Sequence, residues 1–159
     1  MIQLSEHEKA ILVKSIGTPG DQMAMELVVD AARILGAKHL IPIESSHIDG
    51  CLYHGDSGVL YCEKLAAYGT QVKVPTTTNV GALNLTNFNQ TNLSKVKRDM
   101  AYRLMLAHQK MGCLPTWTCA PYQAGARPSY GQQVAWGESN AVAFTNSILG
   151  ARTNRYGDF

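Results

Sequence analysis

The sequence predicts an α/β domain built on a mainly parallel sheet. Three observations carry that expectation: a helical pattern closed by glycine occurs three times, a short apolar run follows each, and a hydroxyl-rich segment follows each run. Helix and strand alternating at this interval require parallel strands joined by helical crossovers. With 159 residues, 45% of them hydrophobic, the chain is expected to form one domain with a real core, residues 1–159 without an internal boundary.

The first helix is expected over residues 21–35 of "DQMAMELVVDAARILG", with Asp21 as N-cap, Met25, Val28, Val29, Ala32 and Leu35 as its apolar positions, and Gly36 as its stop. "KHLIPIE" then reads as a strand and "SSHIDG" as its polar tip. The second helix, "SGVLYCEKLAAYG", ends at Gly69, before the strand "TQVKV" and the tip "PTTTN". The third, "SKVKRDMAYRLMLAHQKMG", ends at Gly112, before "CLPTWT" and the tip "CAPY". A further helix is expected over residues 140–149. Parallel sheets bind ligands beyond the carboxyl ends of their strands. The three tips are therefore expected to converge, bringing Ser45, Ser46 and His47 to Thr76, Thr77, Thr78 and Asn79, and both groups to Thr118, Cys119 and Tyr122.

Charged residues make up only 16% of the chain and the formal net charge is +2, so nothing electrostatic points to nucleic acid or an anionic membrane. The basic run over residues 94–103, with Lys95, Lys97, Arg98 and Arg103 at mixed helical angles, reads as a solvated helix face. The N-terminal segment is acidic where a secretion signal would be basic and has no membrane-length apolar run, which points to a cytoplasmic protein. Cys51, Cys62, Cys113 and Cys119 show no CxxC spacing, and a chain of this size folds without disulfides.

Several segments carry candidate chemistry. "HGDSGVL" contains the tetrapeptide of a trypsin-like nucleophile, but Ser57 opens a helical pattern and the fold class is wrong for such an enzyme. Gly55, Asp56 and Ser57 are read instead as a helix N-terminus, either as a cap alone or as one that also meets a ligand. Cys62 lies within an amphipathic helix and Cys113 opens a strand, so both read as small core residues. Cys119 stands in a loop stiffened by Pro121, and local sequence leaves it open between a functional thiol and a turn residue. His47 is likewise open between a satisfied turn residue and a functional group. Arg152 and Arg155, bracketing Thr153 and Asn154, suit either a carboxylate or phosphate, or plain solvent.

Taken in order, "IPIESSHIDG", "GDSG", "KVPTTTN", "PTWTCAPYQAG", "VAWGESNAV" and "NSILGARTNR" resemble the large subunit of aconitase X, from the N-terminus to the last residue. The resemblance implies an aconitase-like three-layer α/β fold, of which this chain is the N-terminal portion, and hydro-lyase chemistry dependent on an iron-sulfur cluster. By it, Cys119 matches a cluster-ligating cysteine, while the remaining ligands are expected outside this chain. Ser46, His47, Asp56, Thr76, Asn79, Glu138, Arg152 and Asn154 are the residues expected to meet a small hydroxy-acid substrate, and no general base is assigned. An aconitase X small subunit or domain is the implied partner. Two substrates occur in the family, cis-3-hydroxy-L-proline and mevalonate 5-phosphate, and the wording of "PTWTCAPYQAG" and "TNRYGDF" is closer to the hydroxyproline type. A non-catalytic binding or assembly fragment is the reading of another class.

Overall fold

The computed structural model describes residues 2–50, 55–80, 92–137, 150 and 152–153. Their elements run α1 (Glu6–Leu12), α2 (Pro19–Ile34), β1 (Ser45–Gly50), α3 (Asp56–Ala67), β2 (Thr76–Val80), α4 (Lys95–Lys110), β3 (Leu114–Pro115), a 3-10 turn (Pro121–Ala124), β4 (Gln133–Trp136) and β5 (Arg152–Thr153). Five strands form one sheet in the order β3-β2-β1-β4-β5, and every pairing is parallel. The α/β expectation therefore holds.

The helices begin and end for local reasons. Thr18, not Asp21, is the N-cap of α2: its side chain accepts from the Asp21 amide, and the Asp21 carboxylate accepts from the Thr18 amide in return. Pro19 occupies the first turn, where its missing N–H costs nothing. The Ser94 hydroxyl caps α4 through the Lys97 amide. Gly36, Gly69 and Gly112 follow α2, α3 and α4 with φ of +74°, +83° and +94°, the left-handed geometry that makes glycine the favoured helix stop. The helical core is Val59, Leu104 and Met105, against which Cys62, Met100 and Trp117 pack.

The third expected strand, "CLPTWT", holds β3, but the first two strands lie one segment later than the sequence suggests. "KHLIPIE" is not a strand of the sheet: His39 makes one isolated bridge to Gln3, and Pro42 has no amide to donate to a ladder. "TQVKV" is likewise irregular, tied by the Val72 amide to the Met111 carbonyl. The segments read as tips, "SSHIDG" and "TTTN", are strands β1 and β2 themselves. Three consecutive threonines are β-branched and suit a pleated strand as well as a turn. Parallel strands covered on both faces are ordinarily apolar runs, so polarity here was misleading. These hydroxyls survive burial because each finds a partner. Thr76 donates to the Val74 carbonyl at 2.9 Å, so Ser46 donates to Thr76 at 2.8 Å, and Thr78 donates to the Ile48 carbonyl at 3.2 Å. The expected helix over residues 140–149 lies outside the described residues, as do Cys51, Glu138, Asn154 and Arg155.

Candidate functional site at the carboxyl edge of the sheet

Register divides the polar strands into two faces. His47 pairs with Thr77 and Asp49 with Asn79, while Ser46 pairs with Thr76 and Ile48 with Thr78. Successive side chains in a strand point to opposite faces, so His47, Asp49, Thr77 and Asn79 share one face, and Ser46 and Thr76 share the other. The expected convergence is thus partial. Ser46 and Thr76 bond each other near the amino ends of their strands, beside a cavity of about 630 Å3 that Thr116, Arg127, Gln132 and Trp136 also line. Neither residue touches Cys119 through any described hydrogen bond.

The strand order reverses at β1. The chain runs outward from β1 to β2 and β3, then returns to place β4 on the other side of β1. In open parallel sheets this switch point opens a crevice beyond the carboxyl ends of the strands. Asp49 stands at that end of β1, and a side chain on Gly137, just past β4, would sit 3.3 Å from the Asp49 amide. The chain is therefore tightly drawn together there. The Gly137 amide continues the pairing by donating to the His47 carbonyl at 2.9 Å.

Cys119 reaches the same edge from β3. The Thr116 amide donates to the Thr78 carbonyl at 2.9 Å, extending the strand, and Trp117 then takes φ of +53°. Left-handed backbone in a bulky residue persists only where its surroundings enforce it. Here the indole is packed on Val59, Leu104 and Met105, which holds the turn. Thr118 closes it, its hydroxyl accepting from the Ala120 amide at 3.0 Å. Asn79 meets the result, its side-chain amide donating to the Cys119 sulfur at 3.0 Å and to the Asp49 carboxylate at 3.2 Å.

Burial acts on the thiols of the other two described cysteines. Cys62 lies 3.8 Å from His108 Nε2, and burial pushes its thiol up. Burial, with Cys62 nearby, pushes Cys113 to about 11. Both therefore stay protonated at neutral pH and serve as small core residues, as their sequence context suggests. His108 is also held neutral, its pKa lowered by burial, although its Nδ1 proton bonds the Leu104 carbonyl at 2.8 Å.

His47 is a buried strand residue, 2% exposed, with Nδ1 2.8 Å from Thr77 Oγ1 and its ring tilted against Trp136 at 6.1 Å. It faces the site's side of the sheet from the interior of β1. Asp56 is exposed at the first position of α3. The backbone of Arg152 pairs with Gln133, the first residue of β4, which puts it level with the amino end of the sheet. Asp49 was absent from the sequence-predicted site. Its signal was present in "SSHIDG": read as a strand, that segment puts Asp49 on the face of His47, two residues on.

The donor set of this edge fits one attachment point for a thiophilic metal group, a cysteine sulfur at the carboxyl edge of the sheet. Among the described residues no three His, Cys, Asp or Glu side chains are grouped to hold a metal ion, so a cluster bound here takes its other ligands elsewhere. Also among the described residues, no helix is long and apolar enough to cross a membrane.

Comparison with known proteins agrees with this fold. The chain is 40% identical over 99% of its length to a protein of Hypocrea jecorina named cis-3-hydroxy-L-proline dehydratase, and 38% identical over 99% to one of the same name from Pseudomonas aeruginosa. It is 39% identical over 86% of its length to the phosphomevalonate dehydratase large subunit of Methanothermobacter thermautotrophicus. It covers 26%, 27% and 35% of those three proteins, so it spans about a quarter to a third of their length. The crystal structure of Thermococcus kodakaraensis aconitase X in its holo-form superposes with a TM-score of 0.77 at 38% identity, over 99% of this chain and 39% of that one. The model of the aconitase X first domain matches residues 1–159, and the chain belongs to the aconitase X family.

Proposed function

We propose that this chain is the N-terminal part of the large subunit of a hydro-lyase that removes water from a small hydroxy acid, with cis-3-hydroxy-L-proline as its substrate. The observation that carries the reading is Cys119 at the switch-point edge, presented by a strained turn and met by the Asn79 amide, in a chain whose relatives are named dehydratases. Dehydration needs a charge beside a carboxylate stabilised and a hydroxide made a better leaving group. When bound, an iron-sulfur cluster with an open iron supplies a Lewis acid for that hydroxide, a contribution on the order of several kcal/mol.

This chain's own part is to hold and orient. The Cys119 sulfur would hold such a cluster, and the hydrogen-bonded strands β1 and β2 would keep that sulfur from drifting. Glu138, Asn154 and Asp56 are assigned to substrate contact on the family resemblance, whereas Arg152, whose backbone is level with the amino end of the sheet, and Asn79, whose amide is held by Asp49 and Cys119, are not. Ser46, Thr76 and His47 support the sheet beneath that edge. The remaining cluster ligands and the opposite wall belong to the rest of the large subunit and to a small subunit or domain, so the 159-residue chain alone is expected to turn over no substrate.

The second reading, mevalonate 5-phosphate, is favoured by identities of 36–39% to several proteins named phosphomevalonate dehydratase large subunit. A phosphate of about −1.5 to −2 charge requires cationic donors. The described end of the edge instead presents a carboxylate, Asp49, which suits the ring ammonium of hydroxyproline better than a phosphate. The test is to assay the complete enzyme, large and small subunits together, with both compounds. Preferential dehydration of cis-3-hydroxy-L-proline is expected. A clear preference for mevalonate 5-phosphate overturns the substrate assignment, and turnover by the iron-reconstituted 159-residue chain alone overturns the two-part site.

A further inference from the structure

We propose that Asn79, itself oriented by Asp49, is a positioning residue that fixes the Cys119 sulfur as a hydrogen-bond acceptor and strengthens its hold on iron. The inference rests on the reading of Cys119 as a cluster ligand and adds two residues that act through it.

An asparagine side chain has one face that donates and one that accepts, and left to itself it can present either. Asn79 is given no such choice. It lies 7% exposed near the carboxyl end of β2, in register with Asp49 on the neighbouring strand, and its Nδ2 is 3.2 Å from Asp49 Oδ1. Asp49 Oδ1 accepts that bond, and turning the amide over would bring the Asn79 oxygen against it in a buried place. Asp49 therefore selects the NH2 group for this side of Asn79. That group has two protons, and the second partner within reach is the Cys119 sulfur at 3.0 Å. The result is a donor aimed at sulfur in advance, from a rigid strand, with its polarity set by a third residue.

This polarity matters for a sulfur that binds metal. A thiolate coordinated to iron keeps acceptor capacity, and hydrogen bonds to such sulfurs set both the orientation of the ligand and the electronics of the metal group. A bare helix or loop cysteine has no equivalent support. Cys62, the closest internal comparison, meets the His108 ring nitrogen at 3.8 Å among the described residues.

The experiment uses the complete two-subunit enzyme reconstituted with iron and sulfide. It measures iron affinity by competition with a chelator, and the sulfur-to-iron charge-transfer absorption in the visible. Asn79→Asp keeps the shape but replaces donors with acceptors, and it should weaken iron retention by about 10–100-fold and shift the absorption. Asp49→Asn, which removes the accepting carboxylate, should weaken retention in the same direction by a smaller factor. It also serves as the second variant where Asn79→Asp fails to fold. Cys119→Ser, measured in parallel, tests the underlying reading. Iron retention and absorption at wild-type values in folded Asn79→Asp or folded Asp49→Asn, while Cys119→Ser loses iron, overturn the positioning role and leave the ligand standing. Full iron retention in Cys119→Ser overturns both.

Discussion

Trp117 connects the helical core to the site through a single backbone torsion. Its φ of +53° is a conformation that costs an L-residue roughly 1–2 kcal/mol, and its indole offsets that by packing on Val59, Leu104 and Met105. Once the indole is removed, the strain has no compensation. Trp117→Gly is therefore expected to be more stable than Trp117→Ala by up to about 1 kcal/mol, despite the greater freedom of glycine in the unfolded chain. Urea denaturation of the two variants checks this; an alanine variant equal to or more stable than the glycine variant would show that the turn is unstrained. The cysteine two residues on was visible in the sequence as a candidate and no more. What distinguishes it from Cys62 and Cys113 is long-range geometry, since its partner Asn79 is 40 residues away along the chain. Asp49 was hidden for a different reason: a charged residue in a buried parallel strand defies the usual composition of such strands, so "SSHIDG" looked like a turn.

At the scale of elements, helices were more legible than strands because their signals are local. Glycine stops at Gly36, Gly69 and Gly112 and hydroxyl caps sit within a few residues of the turns they close. Even so, α2 starts at Pro19 rather than near Asp21, since a capping box reads plausibly from either of its two partners. Strand identity depends instead on pairing between distant segments, β1 with β2 and β4 and β2 with β3. Close helix packing gives a contrast that single residues test. A methyl group on Gly20, in the first turn of α2, would fall on Thr70 Oγ1 and lie 2.9 Å from the Leu65 carbonyl, where α2 meets the end of α3. A methyl group on Gly58, within α3, would meet nothing within 4 Å. Gly20→Ala should thus destabilise by about 1–3 kcal/mol through overpacking, whereas Gly58→Ala should stabilise by about 0.5–1 kcal/mol through helix propensity. Thermal unfolding of both variants separates the effects, and similar melting temperatures for the two would contradict the packing of α2 on α3.

At the scale of the whole molecule, the class of fold followed from repetition, while its strand order did not. Alternating helical and extended segments require a parallel sheet, but only β4 returning to the far side of β1 creates the switch point, and the sequence between the third helix and β4 does not state which edge the chain will join. On the proposed function, the sheet sets what this chain would contribute to a dehydratase. It brings one sulfur, one amide and one carboxylate to a crevice edge, in a chain that spans about a quarter of the length of its hydroxyproline dehydratase relatives. Exposed apolar side chains at Leu27, Ile34 and Leu35 of α2 and its C-cap are consistent with further polypeptide packing there. The central claim is that Cys119 is the point at which this part of the molecule holds iron. It is tested most directly by crystallising the complete iron-loaded enzyme and recording anomalous diffraction at the iron absorption edge. The account predicts an iron peak within bonding distance of the Cys119 sulfur, with the Asn79 amide still directed at that sulfur. An iron peak elsewhere in the enzyme, with Cys119 making no bond to it, would contradict the account.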